Sequence, residues 1–194
     1  MTKYLHSKHQ KLILSCITII GLFIYYGKDK LYFNNGSGGA NWKIGNPQTN
    51  FINSNNKRTL PELREQALRL VNRDRQLNNL KPLIEDPLIS LTAQNHSEDM
   101  AKRNFYNHTN PEGQTPTDRY HELGGKGGIG ENIMYQGRSP YIALNYGLLE
   151  IFQKSWMYSK GHRDNLLTPD YTKFGFGITT TNITGKVYAV QNFQ

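Results

Sequence analysis

The chain has 194 residues and a formal charge of +8, from 23 Lys/Arg against 15 Asp/Glu. The excess sits at the front: residues 1–59 hold 8 Lys/Arg and 1 Asp, a charge of +7, while residues 60–194 hold 15 Lys/Arg and 14 Asp/Glu, a charge of +1. A nearly neutral remainder with no basic run interleaved with aromatics argues against nucleic acid as a partner, and the length allows one ordinary domain plus an extension.

Lys3, Lys8 and Lys11 precede an apolar stretch over residues 12–26 that ends at Gly27-Lys28. This is the layout of a signal peptide or an N-terminal membrane anchor, so residues 1–27 form one segment. The stretch is shorter than the roughly 20 residues usual for a spanning helix, yet no small-x-small cleavage site follows it. The lysines before it place the N-terminus in the cytoplasm and the rest of the chain on the extracellular or periplasmic side, secreted or anchored. Cys16, the only cysteine, falls inside the stretch. The exported part therefore folds without disulfides.

Residues 28–59 are rich in Asn, Gly and Ser, as in Asn34-Asn35-Gly36-Ser37-Gly38-Gly39, and read as a flexible tether. A domain over residues 60–194 follows. Thr59, Pro61 and Glu62 open a helix over residues 60–77, with Leu63, Ala67, Leu70, Val71 and Leu77 at helical spacing. Asp86-Pro87 opens a second, ending near Asn104 and carrying Ile89, Ala93 and Met100 on one side. Residues 105–115 are a loop holding His108, and residues 116–123 a short helix capped by Thr115. A strand is predicted over residues 131–135, and a long helix from Ser139-Pro140 to Ser159 with Leu144, Leu148, Ile151, Phe152 and Trp156 on its apolar side. A short helix follows Gly161. Residues 174–181 and 186–193 form a terminal hairpin. The order predicts an α+β domain with an antiparallel sheet between helical layers.

Gly125-Lys126-Gly127-Gly128-Ile129-Gly130 fits a dinucleotide fingerprint by letter, but a helix precedes it and a strand follows, the reverse of what a pyrophosphate needs. It reads as a mobile loop at the rim of a cavity. Four polar residues stand at or near element ends, where side chains can converge: His108, Glu131, Ser159 and His162. Imidazole ligates metals and titrates near neutrality, and a carboxylate can orient it. Ser159 and His162 lack the strand-turn-helix elbow of a serine nucleophile. His96 and His121 read as packing or surface residues.

The ordered segments resemble the CAP superfamily, the SCP domain of cysteine-rich secretory proteins, antigen 5 and pathogenesis-related proteins, in its bacterial, disulfide-free branch. The resemblance is carried by Val71-Asn72-Arg73-Asp74-Arg75, His96-Ser97-Glu98-Asp99-Met100-Ala101, Phe105-Tyr106-Asn107-His108, Gly130-Glu131-Asn132-Ile133, Trp156 through Leu167, Phe174-Gly175-Phe176-Gly177 and Tyr188 through Phe193. It implies a three-layer α-β-α sandwich with a central antiparallel sheet and a large cleft. His108 and His162 match the family's two histidines and Glu131 its first glutamate, whereas Ser159 stands where many members have a second glutamate. In some members the histidine pair holds zinc or another divalent cation, which makes His108 and His162 the expected metal ligands here.

Three functions are compatible with this sequence. The first is an exported domain that binds a ligand or an envelope or surface partner through its cleft, with a divalent metal on the two histidines. The second is a metal-dependent hydrolase of peptides or envelope material, and the third a structural or adhesive surface domain. The missing second carboxylate favours binding over catalysis, since a robust catalytic zinc has three protein ligands.

Overall fold

The computed structural model describes residues 42–48, 56–137, 143–181 and 184–194. The predicted N-terminal membrane segment lies outside the described residues, among which no helix is long and apolar enough to cross a membrane. Helix α1, Leu60–Leu77, starts where Glu62 accepts from both the backbone N–H and the hydroxyl of Thr59, at 2.8 Å each. Its buried side holds Leu63, Ala67, Leu70 and Val71. Helix α2, Pro87–Arg103, is capped by Asp86, whose Oδ1 accepts from the N–H groups of Leu88 and Ile89, and stops at Asn104 with φ 54°. Helix α3, Pro116–Glu122, is opened by a reciprocal Thr115–Asp118 box.

The predicted long helix is shorter than its pattern. Residues 138–142 lie outside the described residues, residues 143–145 are non-helical, and helix α4 is Tyr146–Tyr158. Asn145 Oδ1 accepts from Leu148 N–H at 2.8 Å, so a side-chain cap starts the helix there. After Ser159, helix α5 runs Lys160–Leu166.

Four strands form one sheet: β1, Ile84–Glu85; β2, Gly130–Gln136; β3, Lys173–Thr180; and β4, Val187–Phe193, in the order β1-β3-β4-β2. Strand β4 is antiparallel to both β2 and β3, as the hairpin reading requires. The central sheet is antiparallel as expected, and one edge adds a two-residue parallel pair, Ile84 and Glu85 against Lys173 and Phe174. Two residues between Leu83 and the Asp86 cap are too few to leave an alternating pattern in the sequence.

The pleat separates two apolar faces. Phe174, Phe176 and Ile178 of β3, with Val187, Ala189 and Phe193 of β4, pack on α1 and on Leu149, Phe152, Trp156 and Met157 of α4. The opposite face puts Ile133, Tyr188 and Val190 against Ala93 and Met100 of α2. Gly175 and Gly177 alternate with the β3 aromatics, and a Cβ on either would stand 2.3 Å from α2 backbone atoms. Helix α2 lies that close to the strand because those side chains are absent.

Part of the predicted tether is seated on the domain. Residues 42–48 lie along α1 and α4, with Trp42 and Ile44 packed against the larger core cluster. Composition averaged over residues 28–59 hid these two apolar anchors.

Candidate functional site

Glu131 is the second residue of the edge strand β2 and points to the α2 side, on the same face as Ile133. Its side chain is only 1% exposed. A carboxylate buried to that degree needs charge and hydrogen bonds, and three elements supply them. The loop after α2 brings His108, whose Nδ1–H donates to Oε1 at 2.9 Å. Helix α3 brings Arg119, whose Nη2 donates to Oε2 at 2.7 Å. From β4, the Asn192 amide, in the orientation that satisfies its neighbours, donates to Oε2 at 3.2 Å.

Arg119 also holds the loop itself, donating from Nη1 to the carbonyls of His108 and Gln114 at 2.8 and 3.0 Å. One guanidinium thus fixes both the carboxylate and the backbone that carries the imidazole. The His108 ring is half exposed, and with Nδ1 donating to Glu131 its Nε2 lone pair is left to a ligand.

His162 comes from α5, which two asparagines tie to β2. Asn132 Nδ2 donates to the His162 carbonyl at 3.0 Å, and Asn165 Nδ2 donates to the Glu131 carbonyl and to Asn132 Oδ1 at 3.0 Å each. The His162 Nδ1 is buried with no hydrogen-bond partner. Burial, and then the neighbouring charge of His108, hold its pKa below the usual 6.5. The ring is therefore neutral at pH 7 and keeps a lone pair. Ser159 is the junction of α4 and α5: its N–H donates to the Ser155 and Trp156 carbonyls, its carbonyl accepts from Arg163 N–H, and its side chain makes no cap bond. It shapes the turn that delivers His162.

Three contributors were not visible in the sequence. Arg119 lies on a short polar helix, and a buried carboxylate's need for a cation is the signal that could have led to it. His96 is fully buried beneath the site, 3.9 Å from Glu131 Oε1, with its Nε2–H donating to the Asn107 carbonyl at 3.0 Å. Asn192 reaches Glu131 only through the β2–β4 register. The glycine-rich loop is closed by hydrogen bonds, with Gln194 Nε2 donating to the Lys126 carbonyl at 2.7 Å and Ile129 N–H to Thr117 Oγ1 at 3.0 Å.

A divalent cation would find two imidazole nitrogens here but no third protein ligand, because both Glu131 oxygens are taken by Arg119 and His108. Among the described residues, no group of three or more His, Cys, Asp or Glu is placed to hold a metal ion. If a cation were held here, His108 and His162 would be its protein ligands and Glu131 would orient His108 rather than ligate.

Helices on both faces of this sheet, with the His108–Glu131 pair and the helix bearing His162 tied to one edge strand, define a class of α+β sandwich domain. The model of the cysteine-rich secretory protein family, CAP, matches residues 68–193, and the chain belongs to that family. An uncharacterized protein of Bacillus subtilis, YkwD, is 34% identical over 113 residues, spanning 58% of this chain and 41% of the relative. An uncharacterized membrane protein of the same organism, YlbC, is 31% identical over 129 residues, spanning 66% and 33%. The chain thus matches less than half the length of either. Among solved structures, an extracellular SCP-domain protein of Bacillus anthracis superposes with a TM-score of 0.56 at 30% identity, over 69% of this chain and 40% of that one. An outer surface protein of Borrelia burgdorferi shares the fold at a TM-score of 0.56 with 18% identity, over 72% of this chain and 98% of that one.

Proposed function

We propose that this CAP domain works outside the cell as a binding module, taking a ligand or an envelope partner beside strand β2 where His108 and His162 present their imidazoles, with a divalent cation such as zinc as their shared guest. The extracellular placement draws on the basic-then-apolar N-terminal segment and on the relatives described as extracellular or membrane proteins. One observation carries the binding reading: His162 Nδ1 is buried and unpartnered on the helix that Asn132 ties to β2, the strand whose Glu131 fixes the His108 ring at 2.9 Å. A bound cation would supply Lewis acidity to whatever fills its remaining positions.

Hydrolysis is the weaker reading. A general base needs a free carboxylate oxygen within reach of water, and Glu131 has both oxygens engaged and is almost wholly buried. Calorimetric titration of zinc into the full chain tests the metal. Binding near one equivalent is expected, and its loss in the His108→Ala/His162→Ala double variant. Equal uptake by both proteins removes the assignment.

A further inference from the structure

Residues 42–48 are held in the manner of a bound peptide. Asn78, at the C-terminal end of α1, clamps Lys43 from both sides: its Oδ1 accepts from Lys43 N–H at 2.8 Å and its Nδ2 donates to the Lys43 carbonyl at 2.7 Å. Further along, Gly45 N–H donates to Asp74 Oδ1 at 2.8 Å, the Asn46 carbonyl accepts from Arg73 Nη1 at 3.0 Å, and Gln48 N–H donates to Glu150 Oε1 at 2.6 Å. Every one of these contacts reads main chain. The side chains of Trp42 and Ile44 pack on the core, a spacing of i, i+2 that suits an extended segment.

The clamping groups are themselves fixed. Asp74 is fully buried and also accepts from Arg73 Nε at 2.8 Å and from Gln153 Nε2 at 2.8 Å, while Glu150 is paired with Arg73 at 2.9 Å. A preorganised row of acceptors and donors across two helices is what recognition of an extended backbone requires. At the other end, Trp42 meets Tyr158 edge-on with centroids 5.3 Å apart, and the Arg163 guanidinium lies 4.5 Å over the Trp42 ring. Arg163 also donates from Nη1 to the Met157 carbonyl at 2.8 Å and follows His162 directly on α5. Trp42 is thereby joined to α5, the helix that carries His162.

We propose that the α1–α4 face is a peptide-reading groove whose resident occupant is this chain's own residues 42–48, and that the docked segment acts as a latch holding α5. The partner chemistry is an extended segment of the form aromatic-x-aliphatic-Gly. Gly45 fits because a Cβ there would meet the stem of Arg73, at 2.3 Å from its Cδ. Release of the latch frees Arg163 and loosens α5 from one side while the asparagine ties to β2 remain. This is independent of whether the histidines bind metal.

Hydrogen exchange on the full chain tests it. In Trp42→Ala, the amides of Gly45 and Gln48 and those of α5 should exchange about tenfold faster, the scale expected for losing one cation–π contact and its neighbours. The amides of α2 and β4 should not change. Asn78→Ala, which leaves Trp42 in place, should release the same amides. A synthetic peptide of residues 42–48 added in excess to Trp42→Ala/Ile44→Asp/Gly45→Val, whose own segment has lost its anchors and no longer fits beside Arg73, should restore protection in α5. Unchanged exchange in α5 when the strap amides have lost protection overturns the latch. Failure of the peptide to restore protection overturns the peptide-reading groove.

Discussion

Arg119 and Glu131 form a charge-assisted pair at 2.7 Å in which the Glu131 side chain is 1% and the Arg119 side chain 9% exposed. The pair joins α3 to the edge strand β2, and through its second bond set Arg119 also fixes the loop bearing His108. Its value is therefore positional as well as electrostatic. The direct attraction is offset by desolvation of both charges, but removal of one partner leaves the other charge stranded.

Arg119→Met should accordingly cost about 3–5 kcal/mol, because it leaves a buried carboxylate and two loop carbonyls without their donor. Glu131→Gln should cost less, since the amide oxygen still accepts from Arg119. The double variant Arg119→Met/Glu131→Leu should recover a large part of the loss. Urea denaturation with the slope held constant across the series measures this. A loss under about 1 kcal/mol for Arg119→Met would show that the pair is not what keeps Glu131 in place.

The polarity of this site explains why only part of it was legible in the sequence. Helices α1 and α2 carry their starts in the order of residues, Thr59-Leu60-Pro61-Glu62 and Asp86-Pro87, and their buried sides in the 3.6-residue period. The β3–β4 hairpin declares itself by two alternating apolar runs. His108, Glu131 and His162 stood out in the sequence because reactive residue types lie at element ends, and the His108–Glu131 contact is the part the structure shows directly. Arg119, His96 and Asn192 did not stand out, since each meets Glu131 only after α2, α3 and β4 have packed, and no local pattern encodes a contact across the sheet. Residues 42–48 were missed for a related reason: two apolar residues among Asn and Gly are a weak local signal, and their groove is made by α1 and α4.

His96 makes stability depend on pH. Burial pushes its pKa below 6.5; Glu131 at 3.9 Å pulls the other way, but that carboxylate is already neutralised by Arg119, whose charge further disfavours imidazolium. The sign follows from linkage. The unfolded chain binds a proton near pH 6.5 that the native His96 refuses, so stability is full above about 6.5 and is lost as pH falls through the lower native value. His162, lowered by burial and by His108, acts in the same direction. Chemical denaturation between about pH 7.5 and 5 should show this decline, and His96→Gln, whose amide can still donate to the Asn107 carbonyl, should flatten part of it. An unchanged slope in that variant would transfer the effect to other groups.

Gly177 tests how α2 is held against the sheet. A Cβ there would lie 2.3 Å from the Gln94 nitrogen and 2.4 Å from the Ala93 carbonyl carbon, atoms of helix backbone that cannot swing aside. The same contact is stitched by Gln94, whose Oε1 accepts from Ile178 N–H at 3.0 Å and whose Nε2 donates to the Ile178 carbonyl at 3.3 Å. Gly177→Ala must lift α2 and stretch both bonds, so its cost should reach or exceed the ~1–3 kcal/mol of ordinary overpacking. His96 rides on α2, so the shift should also disturb the floor under Glu131 and alter the His108 ring resonances in an NMR spectrum. Gly161 is the control, since a Cβ there meets nothing within 4 Å and the residue lies in α5. Gly161→Ala should be neutral or stabilising by up to about 1 kcal/mol. Equal thermal midpoints for the two alanine variants would show that α2 can retreat from β3 without cost, and that the close approach at Gly177 is not needed to hold the floor of the site.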